Sequence, residues 1–494
     1  MTLDEIRARI DSIDRKIISL FCMRMDAVAN MSEIKKEINK PIEDLEREEK
    51  KIDALKETCP EKYEIYAEAL LHKLMDLSKS YQFSRIGRFG LLGQKLGHSY
   101  SPQIHKMLGN YTYCLYEKEF NEVERFLKNG NFDGLNVTIP YKKAVLPFLD
   151  SLSPAARRIG SVNTVVREEN GRLHGYNTDY DGFDYLIKYT GIMPKNKKCL
   201  VLGNGGVAPT IRDVLRNHEA REIITVSRHG ENNYSNLSRH ADSEIIVNAT
   251  PVGMYPDNGN SLVNLDIFRH LEGVIDVVYN PLRTKLILDA EKKGIPCSGG
   301  LPMLIMQAIR ASELFTKSQF AANKSREVYK AILSNTSNIA LIGMPGCGKT
   351  TTGQVLSKKL RREFVDLDDK IEELLGCSIE NYFKKHSEEE FRVAETNVLQ
   401  KYSAMNHLVI ATGGGVVTRE ENNNLLRQNS CIIYLKREDL QNLPDTGRPI
   451  SQSVPVEYLA KERLPIYEKW SDLIIEGSSP EDCAEKIIRE LKLN

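Results

Sequence analysis

The segment Gly343-Met344-Pro345-Gly346-Cys347-Gly348-Lys349-Thr350 fills every constrained position of a G-x-x-x-x-G-K-[ST] loop. Its flanks agree: the apolar run Ile339–Ile342 reads as a strand and Thr351–Leu360 as a helix. Such a loop works only between those two elements, because it turns backbone N–H groups and a helix N-terminus toward polyphosphate. Its glycines let the chain pass close to the phosphates. In that frame Gly346, Cys347, Gly348 and Thr351 line a nucleoside triphosphate site. Lys349 reaches the β- and γ-phosphates, and the Thr350 hydroxyl ligates Mg²⁺.

A chain of 494 residues exceeds what one core encloses, and its length predicts about three domains. Lys+Arg and Asp+Glu balance at 68 each, so no net field favours nucleic acid or an acidic membrane. The nine cysteines show no C-x-x-C pair or metal-ligand spacing, and their odd number argues against a disulfide framework. No signal-peptide pattern opens the chain, and no apolar run approaches membrane-spanning length. These features predict a cytoplasmic multidomain protein with small-molecule partners and neither nucleic-acid nor membrane partners.

Residues 1–84 differ from the rest. Ile6, Ile10, Ile13, Ile17, Leu20, Val28, Met31, Ile34 and Ile38 recur at helical spacing until Pro41. A second helical stretch runs to about Thr58, and a third, after Pro60, through Gln82. Helices this thin cannot enclose a core alone, which predicts a helical hairpin or a dimer. From Arg88, β-like runs alternate with helices: Phe89–Leu92, Cys114–Glu119, Leu135–Ile139, Cys199–Leu202, Ile223–Val226, Ile245–Asn248 and Val274–Tyr279. That alternation predicts a parallel α/β fold, with a hairpin at Asn170-Gly171. The polar stretch Ser334–Asn338 reads as a linker. The predicted fold class is an all-α domain over 1–84, a two-lobed α/β region with a Rossmann-type lobe over 86–334, and an α/β P-loop domain over 337–494.

In the last region, Asp366-Leu367-Asp368 follows the strand-like Glu363–Val365. Arg392 and Glu395 lie one helical turn apart, and Gly413-Gly414-Gly415 ends an apolar run. Arg448-Pro449 and Arg463-x-Pro465-x-Tyr467 follow. Together these residues resemble shikimate kinase over 337–494. The resemblance implies that Asp368, Arg392, Gly414 and Arg463 hold shikimate, with Asp368 on the hydroxyl to be phosphorylated. It also implies ATP as donor, Asp366 beside Mg²⁺, and catalytic roles for Lys349 and for lid Arg448, which contacts ATP and meets the transferring phosphate. Ser387 stands where the family usually has glycine.

In the middle region, Gly203-Asn204-Gly205-Gly206-Val207 follows a strand and opens a helix, a weak dinucleotide signal taken alone. The next strand ends in Ser227-Arg228-His229, and an arginine there suits a 2′-phosphate, favouring NADP over NAD. Upstream lie His98-Ser99-Tyr100-Ser101-Pro102, Asn136-Val137-Thr138-Ile139-Pro140-Tyr141-Lys142, Ser161-Val162-Asn163-Thr164 and Asn177-Thr178-Asp179. Downstream lie Asp276-Val277-Val278-Tyr279 and Gly300-Leu301-Pro302-Met303-Leu304 with Gln307. These strings resemble shikimate dehydrogenase. The resemblance implies a catalytic pair of Lys142, as acid/base, and Asp179. It implies shikimate binding by Ser99, Ser101, Thr138, Asn163, Thr178, Tyr279 and Gln307, and NADP(H) binding by Gly203–Val207, Ser227, Arg228 and Gly300.

Arg7, Arg24, Lys35, Asp44, Arg47, Glu48, Ser78 and Gln82 resemble the all-helical type of chorismate mutase. That family forms an intertwined dimer in which one partner lends the first arginine to the other's site. The resemblance implies that Arg7, Arg24 and Arg47 bind the carboxylates of chorismate while Lys35 and Gln82 face the ether oxygen. No nucleophile or cofactor is needed, since the rearrangement gains from restraint and preorganised positive charge. The three resemblances together imply a trifunctional enzyme that rearranges chorismate, reduces 3-dehydroshikimate and phosphorylates shikimate. The residues leave a second reading open, in which the helical domain only dimerises or regulates a bifunctional dehydrogenase–kinase.

Overall fold

The computed structural model describes residues 2–37, 45–85, 88–97, 99–109, 111–256, 258–437 and 456–492; Asp44, His98 and Arg448 lie outside them. The N-terminal helices are α1 (Leu3–Glu37), α2 (Leu45–Thr58) and α3 (Glu64–Arg85). Among their described residues only Val28, Ala29 and Met75 are buried apolar side chains. Ile10, Ile13 and Ile17 leave an apolar stripe along α1 half exposed.

The substrate lobe comprises β1 (Arg88–Gly93), α4 (Ser101–Leu108), β2 (Thr112–Glu117), α5 (Val123–Asn129), β3 (Gly134–Val137), β4 (Ser151–Leu152), α6 (Pro154–Ile159), β5 (Thr164–Arg167) and β6 (Leu173–Tyr176). Its sheet runs β2-β1-β3-β5-β6-β4. The first three strands are parallel, as the alternation predicts, but β5 runs antiparallel to both β3 and β6, so this sheet is mixed. The reversal is local chemistry: Gly171 takes φ +82°, and Glu168 N donates to Arg172 O at 2.8 Å to close the Asn170-Gly171 hairpin.

The chain continues through α7 (Thr178–Thr190), β7 (Lys198–Leu202), α8 (Ala208–Asn217), β8 (Glu222–Val226), β9 (Ile245–Asn248), β10 (Gly273–Asp276), α9 (Lys285–Lys292), β11 (Cys297–Ser298), α10 (Leu301–Thr316) and α11 (Lys324–Thr336). The parallel sheet β11-β10-β9-β7-β8 has a core of Leu200, Leu202, Ile246 and Val274, the continuous apolar pattern of strands covered on both faces. The last part contains β12 (Asn338–Ile342), α12 (Lys349–Leu360), β13 (Glu363–Asp366), α13 (Leu367–Leu375), α14 (Ile379–Phe383), α15 (Glu388–Ser403), β14 (Leu408–Ala411), α16 (Glu420–Asn429), β15 (Ser430–Lys436), α17 (Val456–Trp470), β16 (Leu473–Glu476) and α18 (Pro480–Leu491). Its parallel sheet runs β13-β14-β12-β15-β16, with β12 in the centre.

The chain forms two compact units, Met1–Asp181 with Met306–Ala322, and Gly182–Ile305 with Asn323–Asn494. Within the second, Gln428 Nε2 donates to Asn258 O at 2.9 Å, Asn258 Nδ2 donates to Gln428 Oε1, and Arg283 N donates to Gln428 O at 3.0 Å. No helix among the described residues is long and apolar enough to cross a membrane.

Two sequence expectations change. Ser334–Asn338 is not a linker: α11 runs to Thr336 and β12 starts at Asn338. Arg362 donates to Ser337 O and Ser334 O, both at 2.7 Å, and buried Asn338 donates to Met405 O at 2.7 Å, so the polar residues satisfy buried backbone. The run Val274–Tyr279 is strand only to Asp276, because the Asp276 carboxylate accepts from Val278 N at 3.0 Å and turns the chain.

Asp276 is fully buried and also accepts from Asn248 Nδ2 at 2.9 Å and Thr284 Oγ1 at 2.7 Å. Burial pushes its carboxyl up to about 6, against those three bonds. The folded lobe therefore holds a proton that the unfolded chain releases near pH 4. This contribution is complete below about pH 4 and is lost as the pH rises through about 6, worth about 3 kcal/mol at most. Asp276→Asn keeps an acceptor for Asn248 and Val278 and removes the titration. Its melting temperature relative to wild type should rise between pH 4 and pH 6.5, and a difference independent of pH would contradict this assignment.

Candidate functional sites

Between α1, α2 and α3 lies a pocket of about 210 Å³. Arg24, Lys35, Arg47, Glu48, Ser78 and Gln82 all line it, because they recur on the inward stripe of each helix. Arg24 Nη1 donates to Leu74 O at 3.1 Å and to Ser78 Oγ, which fixes the guanidinium across the pocket. Gln82 Nε2 donates to Ser78 O at 3.3 Å, while its buried Oε1 has no partner among the described residues. Two lysines that the motif comparison missed line the pocket as well. Lys79 Nζ pairs with Glu48 at 3.1 Å, and Lys51 has its charge disfavoured by burial and by Arg47 and Arg24. Lys51 was findable, one helical turn beyond Arg47. Against one carboxylate the pocket therefore holds Arg24, Lys35, Arg47, Lys51 and Lys79, a composition suited to a dianion. Arg7 is not brought in: it is 67% exposed and lies 3.6 Å from Asp4.

In the substrate lobe, Lys142 Nζ donates to Asp179 Oδ2 at 2.5 Å, with side chains only 17% and 10% exposed. Lys142 lies in the turn after β3, and Asp179 in the first turn of α7. Asn163 Oδ1 accepts from Thr178 N at 2.6 Å, and Asn163 Nδ2 donates to Thr178 Oγ1 at 3.1 Å, so these two residues fix the start of α7. Thr138 N donates to Leu92 O at 2.9 Å, which anchors the turn, and Ser99 Oγ accepts from Ser101 N at 3.2 Å at the head of α4. Gln307 is buried on α10 in the same unit. Behind these groups runs a network that the motifs did not single out. Tyr113 OH donates to Asn136 Oδ1 at 2.8 Å, and Asn136 Nδ2 donates to Thr164 Oγ1 at 3.1 Å. Burial holds the Tyr113 phenol well above its ordinary range, so it stays a neutral donor. No spacing rule marks Tyr113, which stands on β2 far from Asn163 in sequence.

Tyr279, Gly300 and the Rossmann glycines belong to the second unit. Gly203 has φ +99°, and a Cβ there would sit 2.5 Å from Thr250 Cγ2; Gly205 and Gly206 face open space. That is the cradle a pyrophosphate needs at the head of α8, which follows Val207. Asn204 Oδ1 accepts from Arg212 Nη1 at 3.0 Å, adding a cation that sequence reasoning missed. Ser227 N donates to Asn232 O at 3.0 Å in the loop after β8, and Arg228 is exposed beside it. Gly300 is explained by packing, since a Cβ would meet Val277 O at 2.1 Å. Burial raises the Tyr279 phenol.

In the P-loop, Gly346 and Gly348 take φ +83° and +96°. Lys349 Nζ donates to Gly343 O and Met344 O at 2.9 Å each, and Thr351 Oγ1 to Gly348 O at 3.0 Å. Thr350 Oγ1 donates to Asp366 Oδ2 at 2.7 Å, so two hard oxygen donors meet at the helix head. Cys347 is buried, and its carbonyl accepts from Arg437 Nε at 3.2 Å, a contact no motif announces. Nearby, Arg392 pairs with Glu395 at 2.8 Å and with Glu388 at 2.8 Å. Burial pushes the Glu395 carboxyl up. Arg463 Nη1 donates to Gly414 O at 3.3 Å, while its buried Nε has no partner among the described residues. A Cβ on Gly413 would come within 2.8 Å of Asp368 Oδ1, and one on Gly415 within 2.2 Å of the Arg392 guanidinium, so the three glycines bring Asp368, Arg392 and Arg463 around one spot. Ser387, where the family usually has glycine, forms a capping box with Glu390 at the head of α15.

Comparisons with known proteins agree with this division. Family models match as chorismate mutase type II over residues 6–83, shikimate dehydrogenase substrate binding domain over 91–165, and shikimate kinase over 345–492. The shikimate dehydrogenase (NADP(+)) of Clostridium beijerinckii is 35% identical over 49% of this chain and 96% of its own length. That of Dehalococcoides mccartyi strain 195 is 38% identical over 46% and 90%. A chorismate mutase/shikimate 5-dehydrogenase fusion from Clostridium acetobutylicum, solved by crystallography, is 33% identical over 50% of this chain and 97% of its own, with a TM-score of 0.48. The chain thus belongs to the shikimate dehydrogenase family, as a three-enzyme fusion with a chorismate mutase domain ahead of the dehydrogenase and a shikimate kinase domain behind it.

Proposed function

We infer that residues 1–84 convert chorismate to prephenate, residues 86–334 reduce 3-dehydroshikimate to shikimate with NADPH, and residues 337–494 phosphorylate shikimate with ATP. The observation that carries the reading is the shielded Lys142–Asp179 pair at 2.5 Å, in the lobe where the substrate-binding family model matches. Lys142 Nζ, oriented by Asp179, holds the proton that the substrate carbonyl oxygen takes up on reduction. Ser99, Ser101, Thr138, Asn163, Thr178, Gln307 and Tyr279 bind shikimate. NADPH supplies the hydride; the Gly203–Val207 turn, Ser227, Arg228 and Gly300 hold it.

In the kinase, Arg392 and Arg463 take the carboxylate and Asp368 accepts the proton of the attacked hydroxyl. The buried and unpartnered Arg463 Nε fits that assignment. ATP supplies the phosphoryl group, held by Gly346–Thr351 and lid Arg448, and Mg²⁺ fits the juxtaposed Thr350 and Asp366 oxygens. In the mutase, Lys35 and Gln82 stabilise the ether oxygen as charge develops there, and Asp44, Glu48 and Ser78 orient the ring. The half-exposed α1 stripe and the position of Arg7 outside the pocket support a homodimer that exchanges Arg7. The same reading places the enzyme in the cytoplasm, where its cysteines stay reduced.

Three outcomes test this. The chain given 3-dehydroshikimate, NADPH and ATP–Mg²⁺ should yield shikimate 3-phosphate; no shikimate would overturn the dehydrogenase reading. Lys142→Ala should lower dehydrogenase kcat by at least about a hundredfold, while Asp368→Asn should stop the sequence at shikimate with a comparable loss of kinase kcat. For the mutase, Arg7→Ala and Arg24→Ala should each be nearly inactive alone. Mixed and refolded together in equal amounts, they should regain about a quarter of wild-type activity, since each mixed dimer carries one intact site. No recovery would refute arginine exchange.

A further inference from the structure

A cavity of about 480 Å³ opens in the second unit among α7, α10 and α11, and it shares no residue with the three sites above. Tyr185, Tyr189 and Tyr329 form one wall, with successive ring centroids 6.1 Å and 6.0 Å apart. Those spacings are ordinary aromatic contacts, so the rings are held by one another. Tyr185 OH lies 3.2 Å from Ser325 Oγ, which fixes that ring. Tyr189 nevertheless remains 50% exposed, an aromatic face turned to solvent rather than to core. Pro302 and Ile305 supply the apolar floor.

Charge selects the occupant. Arg326 and Lys330 stand at the rim of the cavity, one helical turn apart on α11, and both are exposed. Their neighbouring acid on the helix, Glu327, pairs with Lys324 at 3.6 Å, and neither rim cation has a carboxylate partner among the described residues. Two cations over a wall of rings match a flat aromatic body with an acidic group at one edge. The size suits one ring, since pockets for small ligands begin at roughly 300 Å³. A nucleotide would demand the close backbone donors that the glycine loops provide elsewhere, and this cavity has no glycine in its lining.

We propose that this cavity binds a single-ring aromatic carboxylate, with its ring against Tyr189 and Tyr329 and its carboxylate on Arg326 and Lys330. The site is independent of the three catalytic assignments. Calorimetric titration of the full chain with 4-hydroxybenzoate and with 4-hydroxybenzamide, which has the same shape and no charge, tests it. The acid should bind saturably at one site per chain, about tenfold or more tighter than the amide. The doubly substituted Arg326→Gln, Lys330→Gln chain should lose that preference, and Tyr189→Ala should weaken both ligands. The substituted cations are exposed, and an unchanged melting curve verifies the fold. Absence of saturable binding, equal affinity for acid and amide, or acid binding undiminished in the double variant would each overturn the proposal.

Discussion

Backbone has to come closer to ligand and to neighbouring backbone than any Cβ permits at the carboxyl ends of the two fully parallel sheets, and both nucleotide sites follow from that constraint. Gly203 would place a Cβ 2.5 Å from Thr250, and Gly343 would place one 2.8 Å from Leu435 O. Each glycine sits where a central strand gives way to a helix, so the freed N–H groups and the helix dipole point into the same small volume. The sheets differ in what surrounds that volume. In the Rossmann lobe, the Asn248–Asp276–Thr284 network fixes the neighbouring strand ends. In the kinase, Arg437 braces the loop from behind through the Cys347 carbonyl.

Paired charges with little solvent around them are the second recurring device. An unpaired charge moved out of water costs several kcal/mol, and a pair recovers that only with good geometry. Lys142–Asp179 and Arg392–Glu395 meet the requirement at 2.5 Å and 2.8 Å. Replacing a buried ion pair by well-packed apolar residues is often neutral or stabilising, so such pairs are weak evidence for stability. In each, the partner carboxylate holds the donor in one orientation, the arrangement that electrostatic preorganisation requires.

The P-loop with its strand and helix flanks and the Lys142 and Arg392 strings were legible because each is a short sequence whose residues share one turn. The glycine-bounded elements were read nearly to their ends for the same reason. What was not legible depends on contacts between distant segments. Tyr113 on β2 reaches Asn136 on β3 across the intervening β1, and Arg437 reaches Cys347 ninety residues away. Ser334–Asn338 looked like a linker because polarity usually marks exposure; here Arg362 and Met405 consume that polarity inside the fold. The antiparallel β5 was half legible: the Asn170-Gly171 signal was read, but its consequence for the sheet was not drawn. Of the mutase residues, the inward set was named by the family resemblance, and among those described Arg7 falls outside the pocket.

That exception bears on how a fusion like this one is built. Among the described residues the helical part buries few apolar side chains, and the stripe along α1 is a half-exposed apolar surface. The second unit is made differently. There Gln428 and Asn258 exchange hydrogen bonds while buried, and Arg283 adds another to Gln428 O, joining the Rossmann lobe to α16 of the kinase. Buried amides are costly when unpaired and so admit one register only. The dehydrogenase's cofactor lobe and the kinase are thereby held by a specified polar contact, whereas the mutase offers an apolar one.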